Sequence, residues 1–145
     1  MSSSPEDTIA AGERLARLLG PGSVVALRGG LGVGKTYFTK GIARGLEVAE
    51  ELTSATYTII SEYRGKFPFY HIDAYRLQGD DDFTALGGED FLYGPGVSVV
   101  EWSELLPQSI PPAAITVEIR ILREEKRIIR IPALTAADFP AEESP

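Results

Sequence analysis

The sequence contains no cysteine and one histidine in 145 residues. Without thiols there is neither a disulfide framework nor a thiolate metal site, and one imidazole does not build a multi-histidine metal cage. Any bound metal is therefore expected to be a hard ion held by oxygens. Long hydrophobic runs are missing too: none approaches the ~20 consecutive apolar residues that a membrane-spanning helix needs. The opening MSSSPEDTIAAGERLARLL has no basic segment followed by an apolar one, as a secretory signal would. These absences predict a cytosolic protein with no membrane partner. A cationic surplus is also lacking. Fourteen Lys and Arg against 21 Asp and Glu give a formal charge of -7 and a pI near 4.7. That balance opposes a broad basic face for nucleic-acid phosphates. Arg120, Arg123, Lys126, Arg127 and Arg130 do cluster near the C-terminus, where they read as a solvated strand face.

The length suits one domain, residues 1–145, with the tail from about residue 136 expected to be frayed. Ser4, Pro5 and Asp7 supply a cap, a first-turn proline and a first-turn carboxylate, so residues 5–19 predict an amphipathic helix stopped by Gly20, Pro21 and Gly22. SVVALR is short, apolar and β-branched, the pattern of a buried strand. Lys35 to Leu46 returns to helical spacing through Phe38, Ile42, Ala43 and Leu46. TYTIISEY and FPFYHID, joined by RGK, predict an antiparallel hairpin with Pro68 near a strand start. Residues 80–94 predict a short helix and a loop, VSVVEW another buried strand, and SELLPQSIPP a connection. ITVEIRIL and KRIIRIP alternate apolar with charged residues about a REEK turn, a terminal hairpin with one wet face. Early strand-helix alternation followed by hairpins predicts an α/β layered domain with a mixed sheet.

The stretch GGLGVGKT, residues 29–36, lies between the first predicted strand and the second predicted helix and fits GxxxxGK[ST] through Gly29, Gly34, Lys35 and Thr36. Glycines let the chain turn so that successive N–H groups converge at a helix N-terminus, where the dipole attracts anions. Residues 29–36 are expected to cradle a di- or triphosphate. Lys35 then meets the β and γ phosphates, and the Thr36 hydroxyl joins phosphate oxygens and waters around Mg²⁺. A metal-side carboxylate is also needed. Asp73 and Glu101 both end apolar runs, where ligands gather in open α/β sheets, and spacing does not decide which of them meets Mg²⁺. SATYTII lies where a γ-phosphate-sensing loop would, with Thr56 as its hydroxyl. His71 reads as a packed side chain sharing a strand face with Asp73, and Trp102 either as core, the default, or as a side chain beside the nucleotide.

In order, LRGGLGVGKTYFTKG, SATYTIISEY, YHIDAYRL, FTALGGEDFL and VVEWSELLP, with Thr8 and Gly12 in the N-terminal helix, make the chain resemble the bacterial TsaE (YjeE) family over nearly its whole length. The resemblance implies a P-loop NTPase-like three-layer fold whose mixed, mainly parallel central sheet carries antiparallel hairpin additions. It implies an Mg²⁺-dependent ATPase accessory to threonylcarbamoylation of the adenosine beside the anticodon of tRNA. ATP and Mg²⁺ are the implied cofactors and TsaD and TsaB the implied partners, with tRNA reached only through them. Carried over by position, Thr36 and Glu101 are the Mg²⁺ ligands, while Lys35, Asp73 and Glu101 carry the catalysis. Nucleotide contacts fall to Thr8, Gly30, Leu31, Gly32, Val33, Gly34, Lys35, Thr36, Tyr37, Thr56, Trp102 and Arg127. Three positions depart from the family pattern: Ala55 replaces a proline and its φ restraint, Tyr37 a common threonine, and Gly30 an acidic residue.

Two other readings share the phosphate loop. A small-molecule kinase needs an acceptor pocket and an arginine-bearing lid, and no convincing lid is present. A nucleotide-gated binding module would order SATYTII for a partner, with hydrolysis incidental. A GTPase is disfavoured because no NKxD sequence occurs.

Overall fold

The computed structural model describes residues 2–29, 34–50, 52, 59–123 and 126–132. Helix α1 spans Pro5–Ala16, strand β1 Val24–Arg28, helix α2 Lys35–Gly45, and strands β2 and β3 Ile60–Arg64 and Pro68–Asp73. Short helices α3 (Asp80–Ala85) and α4 (Gly88–Leu92) lead to β4 (Val97–Glu101), a 3₁₀ turn at Ser103–Leu105, and the hairpin β5 (Ile115–Arg123) and β6 (Lys126–Arg130). Six strands form one sheet in the order β2-β3-β4-β1-β5-β6. The β3–β4, β4–β1 and β1–β5 pairs are parallel, while β2–β3 and β5–β6 are antiparallel hairpins at the two edges.

The predicted fold is therefore present, with local corrections. Helix α1 ends at Ala16 rather than residue 19, Arg17 being its C-cap. The acidic stretch 80–94 holds two short helices separated by Gly87, which sits at φ +73°. Trp102 leaves the strand that was expected to include it, and the segment after it contains the 3₁₀ turn. The turn residues Glu124 and Glu125, the residues Thr56, Tyr57 and Thr58 that open the first predicted strand, and the predicted tail lie outside the described residues.

Three layers follow from strand alternation. Val25, Leu27, Phe69, Val97, Val99, Val117 and Ile119 pack with Ala11, Leu15, Phe38 and Ile42 of α1 and α2. On the other face, Val24, Ile72 and Val100 pack with Phe83, Leu92 and Leu106. Strands β1 and β4 are covered on both sides, which is why they read as continuous apolar runs. Beyond them, Arg120 and Arg130 of the terminal hairpin are exposed, the wet face that its alternation predicted.

Helices α1 and α2 touch backbone to backbone through Gly12 and Gly41. A Cβ on Gly12 would collide with the Phe38 carbonyl oxygen, and one on Gly41 with that of Ile9. The Ser4 hydroxyl caps α1 by accepting from the Asp7 N–H at 3.1 Å. Among the described residues no helix is long and apolar enough to cross a membrane.

Candidate active site

Strand alternation and parallel register together bring distant side chains to one corner of the sheet. Phe69 faces the α1–α2 layer, so His71 and Asp73, two and four residues on, face it as well. Asp73 pairs in register with Glu101, and Glu101 with Leu27. Asp73, Glu101 and the residue after Leu27 thus mark the C-terminal edge of three neighbouring parallel strands. Immediately beyond β1 stands Gly29 at φ +151°, and Gly34, at φ +105°, precedes the first turn of α2. Both values lie where side chains are disfavoured, which is what these two glycines contribute.

Lys35 opens α2 and is only 6% exposed. Its Nζ donates to the Gly29 carbonyl at 2.7 Å and lies 3.5 Å from the centroid of the Trp102 ring. Burial holds its pKa below the ordinary value, while the negative charges of Glu101, Glu104 and Asp73, in that order, pull the other way. Trp102 is half-buried, in a left-handed conformation (φ 61°, ψ 38°), with its ring 4.9 Å from that of Tyr75. Trp102 packs against the second core cluster, as the core reading expected, and its single αL residue after β4 also aims the indole at the Lys35 ammonium, a cation–π arrangement.

The two carboxylates differ in surroundings. Asp73 is exposed, and its Oδ1 accepts the Tyr75 N–H at 3.0 Å. Glu101 is 6% exposed, and its Oε2 is hydrogen-bonded to His71 Nε2. His71 is packed, as its sequence implied, but its polar edge is spent on Glu101. Glu104 Oε1 is buried without a hydrogen-bond partner among the described residues. Neither the His71–Glu101 contact nor Glu104 was anticipated. The alternation of His71 with Asp73 was a signal for the first, and the three-residue spacing of Glu101 and Glu104 for the second.

Thr36 is exposed in the first turn of α2. No group of three or more His, Cys, Asp and Glu side chains among the described residues is arranged to hold a metal ion. The available donors are two strand-end carboxylates and one hydroxyl. That set fits Mg²⁺, which keeps waters and takes one or two carboxylates together with substrate phosphates.

The remaining expected residues fall in two groups. Gly30, Leu31, Gly32, Val33 and Thr56 lie outside the described residues. Thr8 is 2% exposed, and a Cβ on Gly34 would lie 3.7 Å from its Cγ2. The Thr8 hydroxyl is shared with Ser2 Oγ at 2.6 Å, and Ser2 forms a two-way backbone bridge with Arg127. Ser2, which the sequence did not single out, thereby links Thr8 to Arg127. Tyr37 projects from α2 at 42% exposure, its ring 5.5 Å from Lys40 Nζ.

A family profile described as Threonylcarbamoyl adenosine biosynthesis protein TsaE matches residues 2–129. The chain belongs to the TsaE family. A Treponema pallidum relative called tRNA threonylcarbamoyladenosine biosynthesis protein TsaE is 42% identical over 131 residues, spanning 90% of this chain and 97% of that protein. The Bacillus subtilis protein of the same name is 39% identical over 132 residues, spanning 90% and 82%. The crystal structure of YdiB from Bacillus subtilis superposes with a TM-score of 0.71 at 37% identity, covering 88% of this chain and 79% of that one. The matched range spans the phosphate-loop residues, HIDAYRL and VVEW. The last two signatures contain the two carboxylates described above, Asp73 and Glu101.

Proposed function

We propose that this TsaE-family protein is a cytosolic Mg²⁺-dependent ATPase that supports threonylcarbamoylation of tRNA adenosine, acting on a TsaD–TsaB assembly which itself holds the tRNA. The observation that carries the ATPase reading is the convergence of Lys35, Asp73 and Glu101 at one sheet edge, beside the positive-φ glycines Gly29 and Gly34. The tRNA reading is supported by the names of relatives that align with 90% of the chain. The charge of -7 favours partners, rather than this chain, as the holders of RNA.

In this reading, backbone N–H groups of residues 29–36 and the N-terminal dipole of α2 bind the phosphates. Contacts from Thr8, Tyr37, Thr56, Trp102 and Arg127 complete the nucleotide site. Lys35 exchanges its Gly29 carbonyl for phosphate oxygens, a favourable move for an ammonium whose charged form burial disfavours. Thr36 and Glu101 would hold Mg²⁺, which would supply positive charge against the phosphates. Asp73, with one oxygen fixed by the Tyr75 N–H, orients the attacking water or organises the metal shell.

The test is tRNA threonylcarbamoylation reconstituted under multiple turnover with and without this chain, alongside phosphate release from ATP. Faster turnover with the chain, lost on Lys35→Ala, is expected. An unchanged rate removes the assigned role. Phosphate appearing on an added metabolite establishes a kinase instead, and full support from a variant that binds ATP without hydrolysing it establishes a nucleotide-gated module.

A further inference from the structure

Glu101 is a carboxylate at 6% exposure, and an ionised group so far from water is tolerated when hydrogen bonds and opposite charge replace its hydration. Lys35 contributes charge, as the upward pull of Glu101 on its pKa indicates. The hydrogen bond comes from elsewhere: His71 Nε2 meets Glu101 Oε2. A carboxylate only accepts, so Nε2 carries the proton and the imidazole is the donor. His71 is itself rigidly placed. It lies inside β3, 8% exposed, in register with Val99 of β4, between Phe69 and Asp73 on the same face.

This arrangement restrains Glu101 in a particular way. A glutamate at a strand end has three side-chain torsions to fix, and a bond to one oxygen from a side chain two residues back along the neighbouring strand fixes the carboxylate's direction. Oε1 is left outside that bond. We propose that His71 is a positioning residue for the cation site, holding Glu101 by Oε2 so that Oε1 is the oxygen that meets a nucleotide-bound divalent cation. The inference rests on the reading of Glu101 as the metal-side carboxylate. It adds a residue that touches neither nucleotide nor metal, yet sets the affinity for the metal.

The experiment uses Mn²⁺ as probe, with a non-hydrolysable ATP analogue, and reads free Mn²⁺ by electron paramagnetic resonance. Analogue affinity is measured separately in chelator, where no cation is present. His71→Leu is expected to weaken Mn²⁺ binding to the protein–analogue complex about 10- to 100-fold, the usual effect of removing a hydrogen bond behind a metal ligand. Chelator-measured affinity should stay within about twofold, because the phosphate grip does not involve His71. His71→Gln, which carries an N–H near the position of Nε2, should recover most of the loss. If His71→Leu does not fold, as judged by thermal unfolding, His71→Asn replaces it, being too short to supply that donor. A merely structural histidine would weaken both affinities together, and that outcome overturns the inference, as does unchanged Mn²⁺ binding in the Leu or Asn variant. Glu101→Gln separates the two levels: if it too leaves Mn²⁺ binding intact, the metal-side reading of Glu101 has failed and the role of His71 falls with it.

Discussion

Asp73 and Glu101 are register partners, the last residues of adjacent parallel strands, and they point to the same face of the sheet. One is exposed and free to meet water; the other is buried and tied to His71. That asymmetry separates their roles. Where Asp73 orients the attacking water rather than organising the metal shell, Asp73→Asn is expected to lower the turnover number by about 100-fold or more, the range for a positioned acid–base group, with cation dependence little changed. Glu101→Gln should instead raise the Mg²⁺ concentration needed for half-maximal rate. Thermal unfolding should find Asp73→Asn within about 0.5 kcal/mol of the parent, as for most exposed substitutions. Steady-state kinetics across Mg²⁺ concentrations distinguishes the pair, and identical profiles for both variants would contradict the division.

Lys35 gives a pH prediction whose sign follows from its surroundings. Burial puts its pKa in the folded protein below the ordinary 10.5 despite the opposing carboxylates. Between the folded value and 10.5 the unfolded chain binds more protons, so the Lys35 contribution to stability rises with pH in that window. It is complete above the unfolded pKa and lost as pH falls through the folded one. In urea unfolding at a series of pH values, stability of the parent minus that of Lys35→Met should increase as pH rises from below the folded pKa towards 10.5. Other titrating groups largely cancel in that difference, so a flat or falling line would show that burial does not dominate at Lys35. The same variant should lose nucleotide binding.

Trp102 is the single tryptophan, and the Lys35 ammonium 3.5 Å from its ring centroid makes it an intrinsic reporter. If phosphates draw Lys35 away, the indole loses an adjacent cation. Its emission is therefore expected to change in intensity and wavelength on addition of ATP with Mg²⁺, saturating with nucleotide concentration. The change should be absent in Lys35→Ala. A signal of equal size in that variant would mean that the indole senses something other than the lysine.

Much of this was legible because periodicity and glycine placement are local properties. The register of VSVVE against FPFYHID is not local: each run ended on a carboxylate and so named a candidate, but that the two strands are parallel neighbours with Asp73 opposite Glu101 is a property of the folded sheet. What escaped were features created by backbone conformation after a strand ends. Trp102 adopts αL, and nothing in EWSE announces a positive φ at a bulky residue. The hydrogen bond to Glu101 escaped because a buried histidine on an apolar face usually packs, and only the diagonal across two strands identifies its acceptor. The end of α1 was missed by one turn because Leu18 and Leu19 continue the apolar spacing although Arg17 already caps the helix.

The α1–α2 contact is a packing feature whose loss is expected to reach the site through Thr8 and Gly34. Alanine normally stabilises a helix interior over glycine by about 1 kcal/mol, so Gly12→Ala would be favourable if propensity decided. Here the added methyl meets the Phe38 carbonyl, with Ile42 N at 2.9 Å and Gly41 Cα at 3.0 Å, and backbone atoms do not rotate aside. Overpacking of this kind costs about 1–3 kcal/mol, so Gly12→Ala and Gly41→Ala are both expected to destabilise. Gly20→Ala is the control, since nothing lies within 4 Å of a Cβ there. Separation of the helices should also carry Thr8 away from Gly34, whose added Cβ would lie 3.7 Å from Thr8 Cγ2. Nucleotide affinity should therefore fall together with melting temperature in the two α1–α2 variants and neither should fall in Gly20→Ala. Variants that melt early yet bind nucleotide as the parent does would confine this contact to stability alone.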